Sequence, residues 1–351
     1  MRVGVLTFHR CINYGSYWQA RCLVEGLRAL GHDAELLDHD APEVRRAEWR
    51  CALQPQLPQR TRRDDLPRYA AKTRAFFAAF DRLPESVRFP IDRPEEAGRY
   101  DAVVVGSDEV WNFRHPWYAS RPIFFGEGLD TGRLISFAAS FGNHDASDGI
   151  DAQWADRLQR FDALSVRDEN SRALVQAALG RDPAVVLDPC LQFPPAAVDG
   201  GADEPRYLAL YGHGFPTWFA ALVRQHADAL GYRIVSIGYR NDWVDEQRIA
   251  LTPEEFPAAI ARAAAVATNF FHGAVFALRY ARPLVSAPSP YRFNKLRDLT
   301  RALDAERHVV TEATPADLYP VLLREPPTAS VGERIAQARA RSSAFLATAL
   351  G

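Results

Sequence analysis

Short, almost uninterrupted apolar runs recur along this sequence, and most of them end in a loop of small polar residues. RVGVL leads into FHRCINYGS, DAVVVG into SDEVWN, LISFAA into SFGNH, and AVAT into NFFHG. A run that is apolar on both faces and rich in β-branched residues suits a strand buried inside a parallel sheet. Parallel neighbours need crossover connections, and helical patterns stand where the crossovers should be. Tyr17 to Leu30 carries Trp18, Cys22, Leu23, Leu27 and Leu30 at helical spacing, and Gly31 takes the position just past the helix end. The strand DAELLDH follows, which predicts a right-handed strand–helix–strand unit.

The alternation runs twice. Residues 1–192 form the first series, with a helical excursion over 41–99 that includes RYAAKTRAFFAAFDRL. FPPAAVDGGADEPR, residues 193–206, is rich in Pro, Gly, Ala and Asp and reads as a linker. The second series occupies 205–330, and 331–351 is one amphipathic helix with Phe345, Leu346 and Leu350 on its apolar stripe. A lone helix cannot bury such a stripe, so it is expected to pack back on the first domain. The expected fold class is α/β, two Rossmann-like domains facing a cleft.

Composition narrows the function. Hydrophobic residues make up 47% and charged residues 25%, as in an ordinary globular protein. A formal net charge of -2 gives no bulk attraction for nucleic acid or an anionic membrane. No apolar stretch is long enough to span a bilayer, and MRVGVLTFHR lacks the apolar run of a signal peptide, so a cytoplasmic protein is expected. Cys11, Cys22, Cys51 and Cys190 are widely spaced with no CxxC, which argues against a zinc site and against a disulfide framework. Neither GxGxxG after the first strand nor GxxxxGK[ST] is present, so no nicotinamide or P-loop nucleotide site is expected.

In open parallel sheets the working loops lie beyond the carboxyl ends of the strands. Five polar clusters fall there: His9 to Ser16, Gly106 to Asn112, Ser140 to His144, Ser165 to Ser171, and Asn269 to Gly273. Asn13, Gly15, Ser16, Ser107, Asp108, Asn112, Ser140, Asn269 and Gly273 are the candidates for binding a donor or substrate. NYGS and HGAV open helices, whose free N–H groups suit phosphate or carboxylate. Gly15 and Gly273 would let an anion approach the backbone, or they serve tight turns. Arg167 follows a short apolar run and needs an anionic partner. That partner is either a ligand or Asp168, which could instead cap the next helix. His272 opens a helix between apolar neighbours, as a catalyst or as a hydrogen-bonded structural residue. Cys11 near His9 could form a nucleophilic pair, but no third group orients it. A metal held by His9, Cys11 and His272 lacks a carboxylate at a recognisable spacing.

Taken in order, GVLTFHRCINYGSYWQARCLVEGLRALGHDAELLDH, YDAVVVGSDEVWN, ISFAASFG, LSVRDENS, VVLDPCL and FFHGAVFALRYARPLVS resemble the polysaccharide pyruvyl transferase family. The resemblance runs from Arg2 to about Leu299. It implies a GT-B-like fold with the active site in the interdomain cleft, and a cytoplasmic enzyme of polysaccharide biosynthesis. It also implies transfer of pyruvate from phosphoenolpyruvate to hydroxyls of a sugar, forming a ketal, with no further cofactor and no metal. By the family pattern Arg167 contacts the donor's anionic groups and His272 is the catalytic acid. This chain departs from the pattern at Asn269, where Asp is frequent, and at Phe270, where Arg or Ser is. Ala274 and Glu109 stand where Thr and Gln are common. Such departures fit a branch with another acceptor, such as a natural-product or peptide intermediate, or a different reaction. A glycosyltransferase using a nucleotide sugar and a non-catalytic cleft-binding protein are the alternatives.

Overall fold

The structure is a computed structural model, and it describes residues 1–196 and 206–351. Residues 197–205, most of the expected linker, lie outside the described residues. The chain divides into two compact units. The first comprises Met1–Glu48, Phe80–Pro194 and Ile335–Gly351, and the second comprises Trp49–Ala79 and Pro195–Arg334.

In the first unit the apolar runs become a four-stranded parallel sheet in the order Asp33–Leu36, Arg2–Leu6, Ala102–Val105, Leu134–Ser136. Val3 pairs with Ala34 on one side and Ala102 on the other. Bridges from Ile135 to Ala163 and from Ala139 to Val166 lead on to the short parallel pair Ser165–Val166 and Ala184–Val185. Of the residues that carried its period, the helix Tyr14–Ala29 buries Trp18, Cys22, Leu23 and Leu27, while Leu30 caps its end and is exposed. Gly31, at φ 93°, supplies the left-handed turn that ends it. Phe8, Trp111, Phe124, Phe125 and Phe141 pack into one apolar core with the strand residues.

The C-terminal helix spans Ala329–Leu350, and the chain from Ile335 to Gly351 belongs to the first unit. Leu346 and Leu350 are buried. Ser342 Oγ accepts a hydrogen bond from Leu187 N at 3.0 Å, and the Arg339 guanidinium donates to Leu191 O at 2.6 and 2.9 Å.

The second unit is built on a five-stranded parallel sheet in the order Glu246–Arg248, Arg233–Ile237, Tyr207–Tyr211, Ala265–Thr268, Leu284–Ser286. Leu208, Leu210, Phe219, Val223, Ile234 and Val285 fill its core. The helical excursion does not stay whole with the first series. Its central part, Trp49–Ala79, belongs to the second unit. The reason is a set of polar contacts from the helix Leu66–Phe80 and the turn before it. Arg240 N donates to Tyr69 Oη at 3.0 Å, Lys72 Nζ donates to Gly238 O at 3.0 Å, and Asp65 pairs with Arg240 at 2.9 Å. Among the described residues no helix is long and apolar enough to cross a membrane.

Candidate active site

In the first unit the strand ends bring several candidate residues into one buried network. Arg167, at the end of Ser165–Val166, donates to Asp188 Oδ2 at 3.0 Å and lies 3.7 Å from Asp108 Oδ1. Ser16 Oγ donates to Asp108 Oδ2 at 3.0 Å. Burial works against the Arg167 charge, but Asp188, Asp108 and Asp168 together hold its pKa above the ordinary value. The partner that the sequence demanded is therefore Asp188, not the adjacent Asp168. Asp168 caps the helix Glu169–Leu179 through Ser171 N at 2.7 Å, and its other oxygen accepts from Ser140 Oγ at 2.6 Å. Asp188 could have been found from sequence, since Asp-Pro before a short helical run signals a cap. It caps Pro189–Gln192 and accepts from Cys190 N at 2.9 Å.

The first helix does not offer the open N-terminus expected of NYGS. Asn13 Oδ1 accepts from Gly15 N at 2.8 Å and from Ser16 N at 3.3 Å, so those N–H groups are already taken. Asn112 donates to Glu109 Oε2 and Asn143 Oδ1 at 2.7 and 2.9 Å. Ser107 is fully buried, its Oγ has no hydrogen-bond partner among the described residues, and its carbonyl accepts from Thr7 Oγ1 at 2.9 Å.

Cys11 and His9 do not form a pair. His9 Nε2 lies 3.0 Å from Asp38 Oδ1, and that carboxylate also accepts from Arg10 and Arg88. Two guanidiniums at Asp38 make the His9, Asp38, Glu85 group a poor cation site despite its close ligand atoms. Cys11 instead hydrogen-bonds Glu48, whose carboxyl also accepts from Ile12 N at 3.2 Å. Burial pushes the Glu48 carboxyl up to about 7, against those two bonds.

In the second unit TNFFHG folds as the sequence suggests. Ala265–Thr268 ends in the sheet, and the helix Phe271–Arg279 starts three residues on, with His272 as its second residue and buried. Gly273 is required by packing, because a Cβ there would lie 2.2 Å from Thr268 Oγ1. Asn269 Nδ2 donates to His213 O at 2.8 Å, while its Oδ1 is buried with no hydrogen-bond partner among the described residues.

A family model for polysaccharide pyruvyl transferase matches residues 13–287, well over half of the chain. The chain belongs to this family. No curated protein matches the sequence. Among solved structures it is similar to the UDP-GlcNAc 2-epimerase from Neisseria meningitidis bound to UDP-GlcNAc. That likeness has 10% identity and a TM-score of 0.51, covering 99% of this chain and 100% of that one. The Methanocaldococcus jannaschii UDP-GlcNAc 2-epimerase, in complex with UDP-GlcNAc and UDP, is 11% identical at a TM-score of 0.50, covering 96% and 99%. The Streptomyces sp. SF2575 glycosyltransferase SsfS6, complexed with thymidine diphosphate, is 16% identical at 0.46, covering 98% and 96%. At these identities the likeness is one of fold. The two epimerases carry it, and it agrees with the α/β, GT-B-like class of two Rossmann-like domains expected from the sequence.

This member of the pyruvyl transferase family holds a second group of residues that the sequence reading passed over. Phe270, where the family often has Arg, lies under a guanidinium from elsewhere: Arg292 Cζ is 4.2 Å from its ring centroid. His213 and Tyr239 each stand 5.3 Å from the same ring, and Lys72 Nζ is 4.2 Å from the Tyr239 centroid. Burial lowers Lys72 to about 7. Burial, then Arg292 and Lys72, lower the His213 imidazole to about 4. Two signals could have found this group: His213 follows the carboxyl end of a parallel strand, and Lys72 is one of only two lysines.

Proposed function

We propose that this transferase moves pyruvate from phosphoenolpyruvate to two hydroxyls of a sugar or other biosynthetic intermediate, forming a cyclic ketal. The family match over residues 13–287 carries the reading. His272, at the start of the helix Phe271–Arg279, is the proposed proton donor. A proton from its imidazolium goes to the enol CH2, leaving the neighbouring carbon electrophilic. One acceptor hydroxyl adds to that carbon and loses its proton. The carbon–oxygen bond to phosphate breaks and inorganic phosphate leaves. The second hydroxyl then closes the ring and loses its proton. No metal or further cofactor enters these steps. Phe270 and Phe271 immediately precede the histidine, and both are buried, which fits exclusion of water from the electrophilic carbon.

The test supplies phosphoenolpyruvate with a panel of sugars and natural-product glycosides. The readout is acceptor-dependent phosphate release together with a new ketal carbon in the 13C spectrum. Consumption of UDP- or TDP-sugars instead would replace the reading with glycosyl transfer. His272→Asn should lower turnover about 100-fold or more while leaving thermal stability near wild type. Near-normal turnover in that variant would take His272 out of the mechanism.

A further inference from the structure

We infer that Arg292, His213 and Lys72 form an anion subsite in the second unit, one that takes the phosphate or carboxylate group of a small molecule. The residues surround three aromatic rings. Tyr239, His213 and Phe270 lie 5.0 to 5.3 Å apart, centroid to centroid. Arg292 stacks on Phe270 at 4.2 Å and Lys72 caps Tyr239 at 4.2 Å. The rings place the Arg292 guanidinium and the Lys72 amine about the imidazole by cation–π contact, and an aromatic face does not cancel the guanidinium's charge.

The charge balance singles this place out. Arg292 donates to Ser289 Oγ at 3.3 Å and has no carboxylate partner among the described residues. Lys72 donates to a neutral carbonyl, Gly238 O, at 3.0 Å. The His213 ring nitrogens have no hydrogen-bond partner among the described residues, and the ring is only partly buried. A guanidinium free of carboxylate, an ammonium and an open imidazole set out the donors that an oxyanion uses. An anion bound there would relieve the repulsion that now disfavours a proton on His213. The loop carrying His213 continues into Gly214 and Phe215. These line a cavity of about 240 Å³ with Tyr69, Arg240 and Trp243, which leaves room beside the subsite for the rest of a small molecule. The two carboxylates lining that cavity, Asp65 and Asp242, are both paired with Arg240. The inference stands on these residues and does not depend on the transfer reaction.

The experiment follows the histidine side chains of the full-length protein by NMR while inorganic phosphate, and separately pyruvate, is added. Neither probe can turn over, so the result is independent of the phosphoenolpyruvate assay. The expected result is a His213 pKa raised by about one unit or more on saturation with at least one probe. Arg292→Gln should weaken that binding about tenfold or more, and Arg292→Lys should recover part of it. A response to phosphate alone assigns a phosphoryl subsite, and a response to pyruvate alone a carboxylate subsite. His213 resonances indifferent to both probes at tens of millimolar would overturn the inference. So would equal affinity in Arg292→Gln.

Discussion

Arg167 and Arg292 are both arginines at strand-end loops of a parallel sheet, one in each unit, and their surroundings are opposite. Arg167 is fully enclosed and faces Asp188, Asp108 and Asp168. Arg292 rests on an aromatic ring and faces His213 and Lys72. One cation is neutralised by the protein itself, and the other adds to a local excess of positive charge. Family pattern alone assigns the donor's anionic groups to Arg167. Electrostatics gives the greater spare attraction to Arg292, because three carboxylates already face Arg167, whereas among the described residues none pairs with Arg292.

The largest expected effect is on stability at the first arginine. Arg167→Met would leave Asp188 and Asp108 buried without their cation, which should cost about 3–5 kcal/mol. Denaturant unfolding measures it. A loss under about 1 kcal/mol would erase the contrast by showing that the carboxylates do not need Arg167.

Next is a pH effect at Lys72. Its folded pKa is lowered to about 7 from the ordinary 10.5. Between those values the unfolded chain binds more protons than the native one, so stability rises with pH across that window and the full penalty applies below about 7. Lys72→Met should flatten the rise, removing about 2–4 kcal/mol of difference between pH 6 and pH 10. Parallel curves for wild type and Lys72→Met would mean that the ammonium is better solvated than its burial implies.

The smallest effect sharpens the comparison from the other side. Arg292→Gln removes a charge that no described carboxylate balances, and it should change unfolding free energy by no more than about 0.5 kcal/mol in phosphate-free buffer. A loss comparable with that at Arg167 would show that Arg292 is structural.

The framework was legible because buried parallel strands must be apolar on both faces. Arg2–Leu6, Ala102–Val105 and Ala265–Thr268 stand where the apolar runs put them. The helix from Tyr14 ends at the glycine that marked its end. Pairings set by the tertiary fold were not legible. Nothing in residues 49–79 says which sheet they serve, because Asp65, Tyr69 and Lys72 find their partners 175, 171 and 166 residues away. The sequence left Asp168 as either the partner of Arg167 or the cap of the next helix, and its position before that helix commits it to Ser171 N. The open helix N-terminus at Gly15–Ser16 failed for a similar local reason, since Asn13 reaches those amides first. The stack of Arg292 on Phe270 joins positions 22 apart through a strand and a helix, and no spacing rule announces it.

The division of the chain has a practical consequence for dissecting the protein. The backbone passes from one unit to the other at 48/49, 79/80, 194/195 and 334/335. Neither unit is therefore a continuous stretch of coding sequence. A cut in the linker yields a front fragment that carries part of the second unit and lacks the last piece of the first. Removing the residues after 334 damages the unit that begins with Met1. Fragment complementation should accordingly need both pieces to fold either unit, and an isolated unit has to be made by joining its segments with new loops.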